Sequence, residues 1–128
     1  MKDDRLYVIH IGECLARIVQ YVAGGRETFM HSPLIQDATL RNLQTIGQSI
    51  GRLSATLRAA HSEVNWRSII GLRNVLVHDY LGINLERIWD IIERDVPGLQ
   101  RTVEAILREP DGVESDQATS DDTTPDLC

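Results

Sequence analysis

Eight residues, Arg73-Asn74-Val75-Leu76-Val77-His78-Asp79-Tyr80, carry most of the reactive side chains that this chain places close together. Arg73 is a permanent cation suited to a crowded phosphate. His78 is an imidazole that titrates near neutrality, and Tyr80 supplies a phenol that donates hydrogen bonds. RNA carries its own nucleophile in the 2'-OH. A site that removes that proton, protonates the departing 5'-oxygen and stabilises the added negative charge therefore cleaves RNA without a metal. In that chemistry His78 moves protons and Arg73 holds charge. Asn74 orients the imidazole or the phosphate, and Asp79 is a supporting acid beside them.

The element that positions these groups is the stretch Asn65 to Leu81, whose apolar residues recur at helical spacing. On a helix Asn74 and His78 stack one turn apart, and Arg73 and Tyr80 share a stripe. Arg73 and His78 lie roughly 140° apart around the axis, so one straight helix does not aim both at one atom. One histidine per chain is also awkward, because acid and base roles are usually split between two groups. A two-fold axis beside this helix meets both difficulties by bringing His78 and Arg73 of two subunits into one cleft. The plain alternative is a helix terminus in which His78 favours the C-terminal dipole and Arg73 pairs with Asp79.

Other chemistries find less support. His10, His31 and His61 fall in separate segments with no Glu-x-x-His or His-x-x-x-His pair, so no metal site and no cofactor is expected. Trp66 and Trp89 sit among aliphatics at helical spacing and are read as core, with base stacking as the sharper alternative. Cys14 and Cys128 form no disulfide framework and are expected to be reduced.

Length and charge narrow the classes further. A chain of 128 residues builds one domain with one modest core. No apolar run approaches the roughly 20 residues of a membrane helix, and the start lacks a signal-peptide layout, so a cytoplasmic location is expected. The formal charge of -6 argues against a nucleic-acid partner until its distribution is considered. Six acids, Asp111, Glu114, Asp116, Asp121, Asp122 and Asp126, lie in a tail without Lys or Arg. Residues 1–109 then hold 13 basic and 13 acidic residues, and twelve of the thirteen basic ones are arginines. Arginine favours bidentate phosphate contacts.

The surrounding pattern predicts an all-α antiparallel bundle. A first helix spans the periodic residues from Asp3 to Ala23, capped by Asp3 or Asp4 and stopped at Gly24-Gly25. A short helical turn follows over Arg26 to His31. Ser32-Pro33 starts a second long helix expected to reach about Arg58, with Gly47 and Gly51 either marking close approach of another helix or standing as tolerated weak spots. Asn65 caps the motif helix, and Asn84 caps a helix from Leu85 to Asp95 whose inner face is Leu85, Ile88, Trp89, Ile91 and Ile92. Pro97-Gly98 breaks the chain before a last helix, Leu99 to Arg108, ended by Pro110. Residues 110–128 are too polar to order a backbone and are expected to be a disordered acidic tail.

The motif Arg73-Asn-x-x-x-His78-x-Tyr80 resembles the Arg-x4-His-x-Tyr signature of HepT-like proteins in the HEPN superfamily, toxins of the HepT/MntA type II toxin-antitoxin systems. The likeness extends to Gln36-Asp-Ala-x-x-Arg41-Asn-Leu-Gln-x-Ile-Gly47, to Trp66-Arg-x-Ile-Ile-Gly71, and to Asn84-Leu-x-x-Ile-Trp89 followed by Asp95-Val-Pro97. It covers about residues 4 to 107. The resemblance implies a HEPN helical domain over 1–109, a homodimer with paired motif helices, and metal-independent endoribonuclease activity on RNA such as tRNA or mRNA. It carries Arg73 and His78 over as catalytic, with Asn74 following the arginine. It also implies a minimal nucleotidyltransferase antitoxin, MntA-like, that transfers AMP to Tyr80 and joins the toxin in a larger hetero-oligomer. Phosphate charge and bulk beside Arg73 would then exclude RNA from the same pocket. Two departures stand out: Gln48 where many relatives have Glu, and Asn65 where many have Pro. A different class of function fits the same residues, a non-catalytic helical module that docks a minimal nucleotidyltransferase through its polar cleft.

Overall fold

The computed structural model describes residues 2–70 and 84–109, and every regular element among them is helical. In chain order these are α1 (Lys2–Tyr21), α2 (Arg26–Met30), α3 (Pro33–Gly51), α4 (Ala55–Ala60), α5 (66–70), α6 (Leu85–Arg94) and α7 (Val96–Arg108). The all-α bundle expected from the sequence is therefore the fold. No described helix is long and apolar enough to cross a membrane.

Helix α1 is the element the others pack on. It lies against both α3 and α7, while α2 packs on α3 and α6 on α7. Its residues Val8, Ile11, Leu15 and Ile18 recur at three- and four-residue intervals and are buried, as the stripe requires. Gly12 allows the closest approach of α7: a Cβ built there would stand 3.2 Å from Val103 Cγ1. That contact is one place where two helices meet closely, and Gly51 is not another. Gly47 is buried inside α3, but Gly51 ends the helix and a Cβ there would meet open space.

The chain leaves α1 through Gly25, whose φ of 93° is a left-handed conformation that residues with a Cβ rarely adopt. Phe29 of α2 is wholly buried against Trp89 of α6, ring centroids 5.4 Å apart. Ser32 Oγ accepts from Ile35 N at 3.2 Å with Pro33 in the first turn, the expected start for α3. Gln36 then donates from Nε2 to the carbonyls of Phe29 and Met30, satisfying the end of α2.

Three boundaries differ from the sequence reading. The second long helix does not reach Arg58. It stops at Gly51, its end tightened by Arg52 N to Ser49 O and Leu53 N to Ile50 O bonds, and α4 begins anew after Ser54. The reason is a contact distant in sequence. The buried Asp4 carboxylate accepts from Ser54 N at 2.9 Å and Ser54 Oγ at 2.6 Å, while Ser54 Oγ accepts from Leu57 N. Asp4 thus serves the start of α4 instead of capping α1, which already begins at Lys2. At the other end of the molecule the break falls at Asp95 and not at Pro97-Gly98. Helix α7 starts at Val96 and takes Pro97 into its first turn, where a missing N–H costs nothing. The proposed terminator Pro110 and the acidic segment 111–128 lie outside the described residues.

Candidate functional site

Arg73, Asn74, His78, Asp79 and Tyr80 all lie outside the described residues. What the structure contains is the frame on both sides of them. The upstream side is α5, whose first turn is held in three ways. Asn65 Oδ1 accepts from Ser68 N at 3.1 Å, the cap expected from the sequence. Trp66 Nε1 donates to the carbonyls of Arg58, at 3.0 Å, and His61, at 3.1 Å, so one indole closes the end of α4 against the start of α5. Ile69 is buried in the core. Asn65 in place of proline changes only the manner of capping here, and Gln48 is an exposed residue of α3.

The downstream side is α6. Asn84 Oδ1 accepts from Glu86 N and Arg87 N, again as expected. Ile88, Trp89 and Ile92 are buried, and Leu85 and Ile91 are partly buried against the core. The whole inner face foreseen for this helix is in place. Arg26 reaches Glu86 at 3.3 Å and ties α2 to its first turn. Two capped, core-anchored helices therefore bracket the thirteen residues 71–83 between Ile70 and Asn84.

Beside α5 the surface opens into two depressions that share the wall 63–65. The larger, about 650 Å³, lies among α4, the 61–65 connection and α5, with Arg58, Arg67, Trp66 and Ile70 in its lining. The smaller, about 360 Å³, lies between that wall and the α6–α7 corner, with Arg94, Asp95 and Arg101 in its lining. Arg58 Nε is buried and has no hydrogen-bond partner among the described residues. These arginines are functional candidates that sequence reasoning did not single out. The only available signal was the high share of arginine among the basic residues, which names no position.

Glu63 lines both depressions, with His61 beside it. Glu63 Oε2 accepts from Thr102 Oγ1 at 3.2 Å and stands 3.6 Å from His61 Nδ1, while Glu109 lies 3.8 Å from His61 Nε2. The Glu63 carboxyl is held below its ordinary range chiefly by a backbone N–H of its own residue, which outweighs the opposing effect of burial, with Thr102 and His61 adding smaller contributions in the same direction. The two carboxylates approach opposite ring nitrogens and do not converge, and among the described residues no three His, Cys, Asp or Glu side chains group as metal ligands would. At the α6–α7 corner burial pushes the Asp95 carboxyl up, with Arg94 working against it. Trp89 is core, as read from the sequence. Trp66 is only partly buried, its ring lining the larger depression.

Comparison with known proteins gives a consistent result. The family model described as "Ribonuclease HepT-like" matches residues 11–106. A candidate RNase of Caldanaerobacter subterraneus subsp. tengcongensis is 35% identical over 109 residues, covering 84% of this chain and 97% of that protein. A candidate RNase of Methanocaldococcus jannaschii is 33% identical over 106 residues, 82% of this chain and 97% of that protein. The chain is also similar to the mRNA nuclease HepT of Shewanella oneidensis, 27% identical over 123 residues, 77% of this chain and 92% of that protein. No solved structure matches.

Proposed function

The chain belongs to the HepT-like ribonuclease family, and we propose that it is a metal-independent endoribonuclease toxin whose site is completed by a second copy of itself. The observation that carries this reading is the Arg73-x4-His78-x-Tyr80 set, which falls inside the matched residues 11–106. Capped helices anchored in the core on both sides support it, because a reactive segment works only when its ends are held. The ribonuclease domain is taken as residues 1–109, with the acidic segment 110–128 outside it, and the family match to residues 11–106 supports that division.

In the proposed reaction one His78, neutral, takes the proton of the 2'-OH. The 2'-oxygen forms its bond to phosphorus as the bond to the 5'-oxygen breaks, and His78 of the second copy, protonated, supplies the proton that the leaving oxygen needs. The products are a 2',3'-cyclic phosphate and a 5'-hydroxyl. Arg73 faces the charge that builds on the phosphoryl oxygens, and Asn74 and Asp79 orient its neighbours. Tyr80 is the point of control. Transfer of AMP to its hydroxyl by a nucleotidyltransferase antitoxin would place a phosphate beside Arg73 and occupy the charge that RNA requires.

Purified protein incubated with RNA in the presence of EDTA is expected to yield cyclic-phosphate ends. His78→Ala and Arg73→Ala, with unchanged helical content, are expected to abolish the product. Intact RNA with wild-type protein that still binds a nucleotidyltransferase would replace this reading with the non-catalytic docking module. Co-expression with a neighbouring nucleotidyltransferase is expected to add AMP to the peptide containing Tyr80, and an unmodified peptide under those conditions would remove the proposed control.

A further inference from the structure

We propose that the two depressions flanking the 63–65 wall act as one groove for single-stranded RNA, holding backbone phosphates beside the cleavage point through Arg58, Arg67 and Arg101. The proposal rests on the ribonuclease reading for the identity of its ligand and adds where the strand runs.

Charge is the first argument. Residues 1–109 are neutral in sum, yet among the described residues the linings of these two depressions hold four arginines against two acids, Glu63 and Asp95. Arg94 acts on the neighbouring Asp95. The Glu63 carboxylate is already engaged by Thr102 and faces His61. Among the described residues neither Arg58, Arg67 nor Arg101 pairs with a carboxylate. A local excess of guanidinium in a neutral body is the pattern a phosphate backbone selects.

Shape and surroundings favour a single strand. Trp66 and Ile70 give the larger depression an aromatic and aliphatic wall, which suits unstacked bases and has no counterpart in the contacts a closed A-form duplex offers. The indole is rigid because its Nε1 is bound to two carbonyls of the α4 end. Position is the last argument. Ile70 in that wall is three residues before Arg73, and three residues span at most about 11 Å, so a strand in the groove passes within a nucleotide or two of the motif.

The test is fluorescence anisotropy with a labelled single-stranded RNA and the full chain carrying His78→Ala to prevent cleavage, titrated at several salt concentrations. Arg58→Gln and Arg101→Gln are each expected to weaken binding about threefold or more and to lower the salt slope by about 0.7, the value for one lost phosphate contact on a single strand. Arg17→Gln, an equal charge loss on the exposed face of α1, is expected to leave both quantities unchanged. Binding and slope unchanged in Arg58→Gln and Arg101→Gln, an equal loss in Arg17→Gln, or no RNA binding by the parent protein would each overturn the groove. Cleavage is scored separately on protein with His78 intact. A wild type that binds RNA through these arginines without cutting it would defeat the catalytic reading and leave the groove standing.

Discussion

Asp4 and Ser54, fifty residues apart, are joined by two hydrogen bonds to one carboxylate, from Ser54 N at 2.9 Å and from Ser54 Oγ at 2.6 Å. The pair fixes the start of α1 against the break between α3 and α4, and Ser54 in turn accepts from Leu57 N. Asp4→Ala leaves a partly buried N–H and hydroxyl without their acceptor, and should cost about 1–3 kcal/mol in urea unfolding. Ser54→Ala should cost about 1 kcal/mol or more through the lost cap. Because they share the contact, the double variant should lose clearly less than the sum of the two; additive losses would show that the contact contributes little.

Gly12 sets the distance between α1 and α7. Alanine there gains about 1 kcal/mol of helix propensity but brings its Cβ to 3.2 Å from Val103 Cγ1, so the net change should be small. Gly12→Leu puts a bulkier side chain against Val103 and should destabilise by about 1–3 kcal/mol. Combining it with Val103→Ala should restore part of the loss, measured as the shift of the urea midpoint.

The lowered Glu63 carboxyl makes a prediction with a definite sign. A carboxyl whose folded value lies below its unfolded one contributes stability above the ordinary value of 4.5, and this is lost as pH falls through the folded value. Glu63→Gln should therefore lower stability near neutrality, where that contribution is fully present, and flatten the fall in stability below about pH 4.5. Asp95 has the opposite sense, since burial raises it. Asp95→Asn should be neutral or stabilising at pH 7, and its advantage should shrink as pH falls through the raised folded value. Unfolding midpoints across pH 3 to 7 read both effects.

Residues 110–128 carry six carboxylates and no basic group. Removing them takes the formal charge from -6 to 0, and the truncated chain should bind labelled RNA more tightly at low salt. Because the effect acts through charge at a distance, it should fade once the salt concentration brings the screening length to a few ångströms, near 1 M. A difference that persists there would point to direct contact of the segment with the RNA site.

Local chemistry was enough for much of this protein. The caps at Ser32, Asn65 and Asn84, the proline after the first of them, the apolar stripe of α1 and the inner face of α6 each depend on a few neighbouring residues, and the sequence determined them. The Arg73, His78 and Tyr80 set is likewise a reading of residue types and spacing, and those residues lie outside the described ones. Other features depend on residues that meet only after folding. Whether a helix continues past Gly51 is decided by Asp4, fifty residues away from Ser54, and no periodicity encodes that encounter. The value of Gly12 depends on Val103, and the arginines that line the two depressions come from four separate segments. Hydrogen-bond caps and hydrophobic period act over a few residues and can be read along a line. Packing and the gathering of charge act across space, and only the tertiary structure decided them.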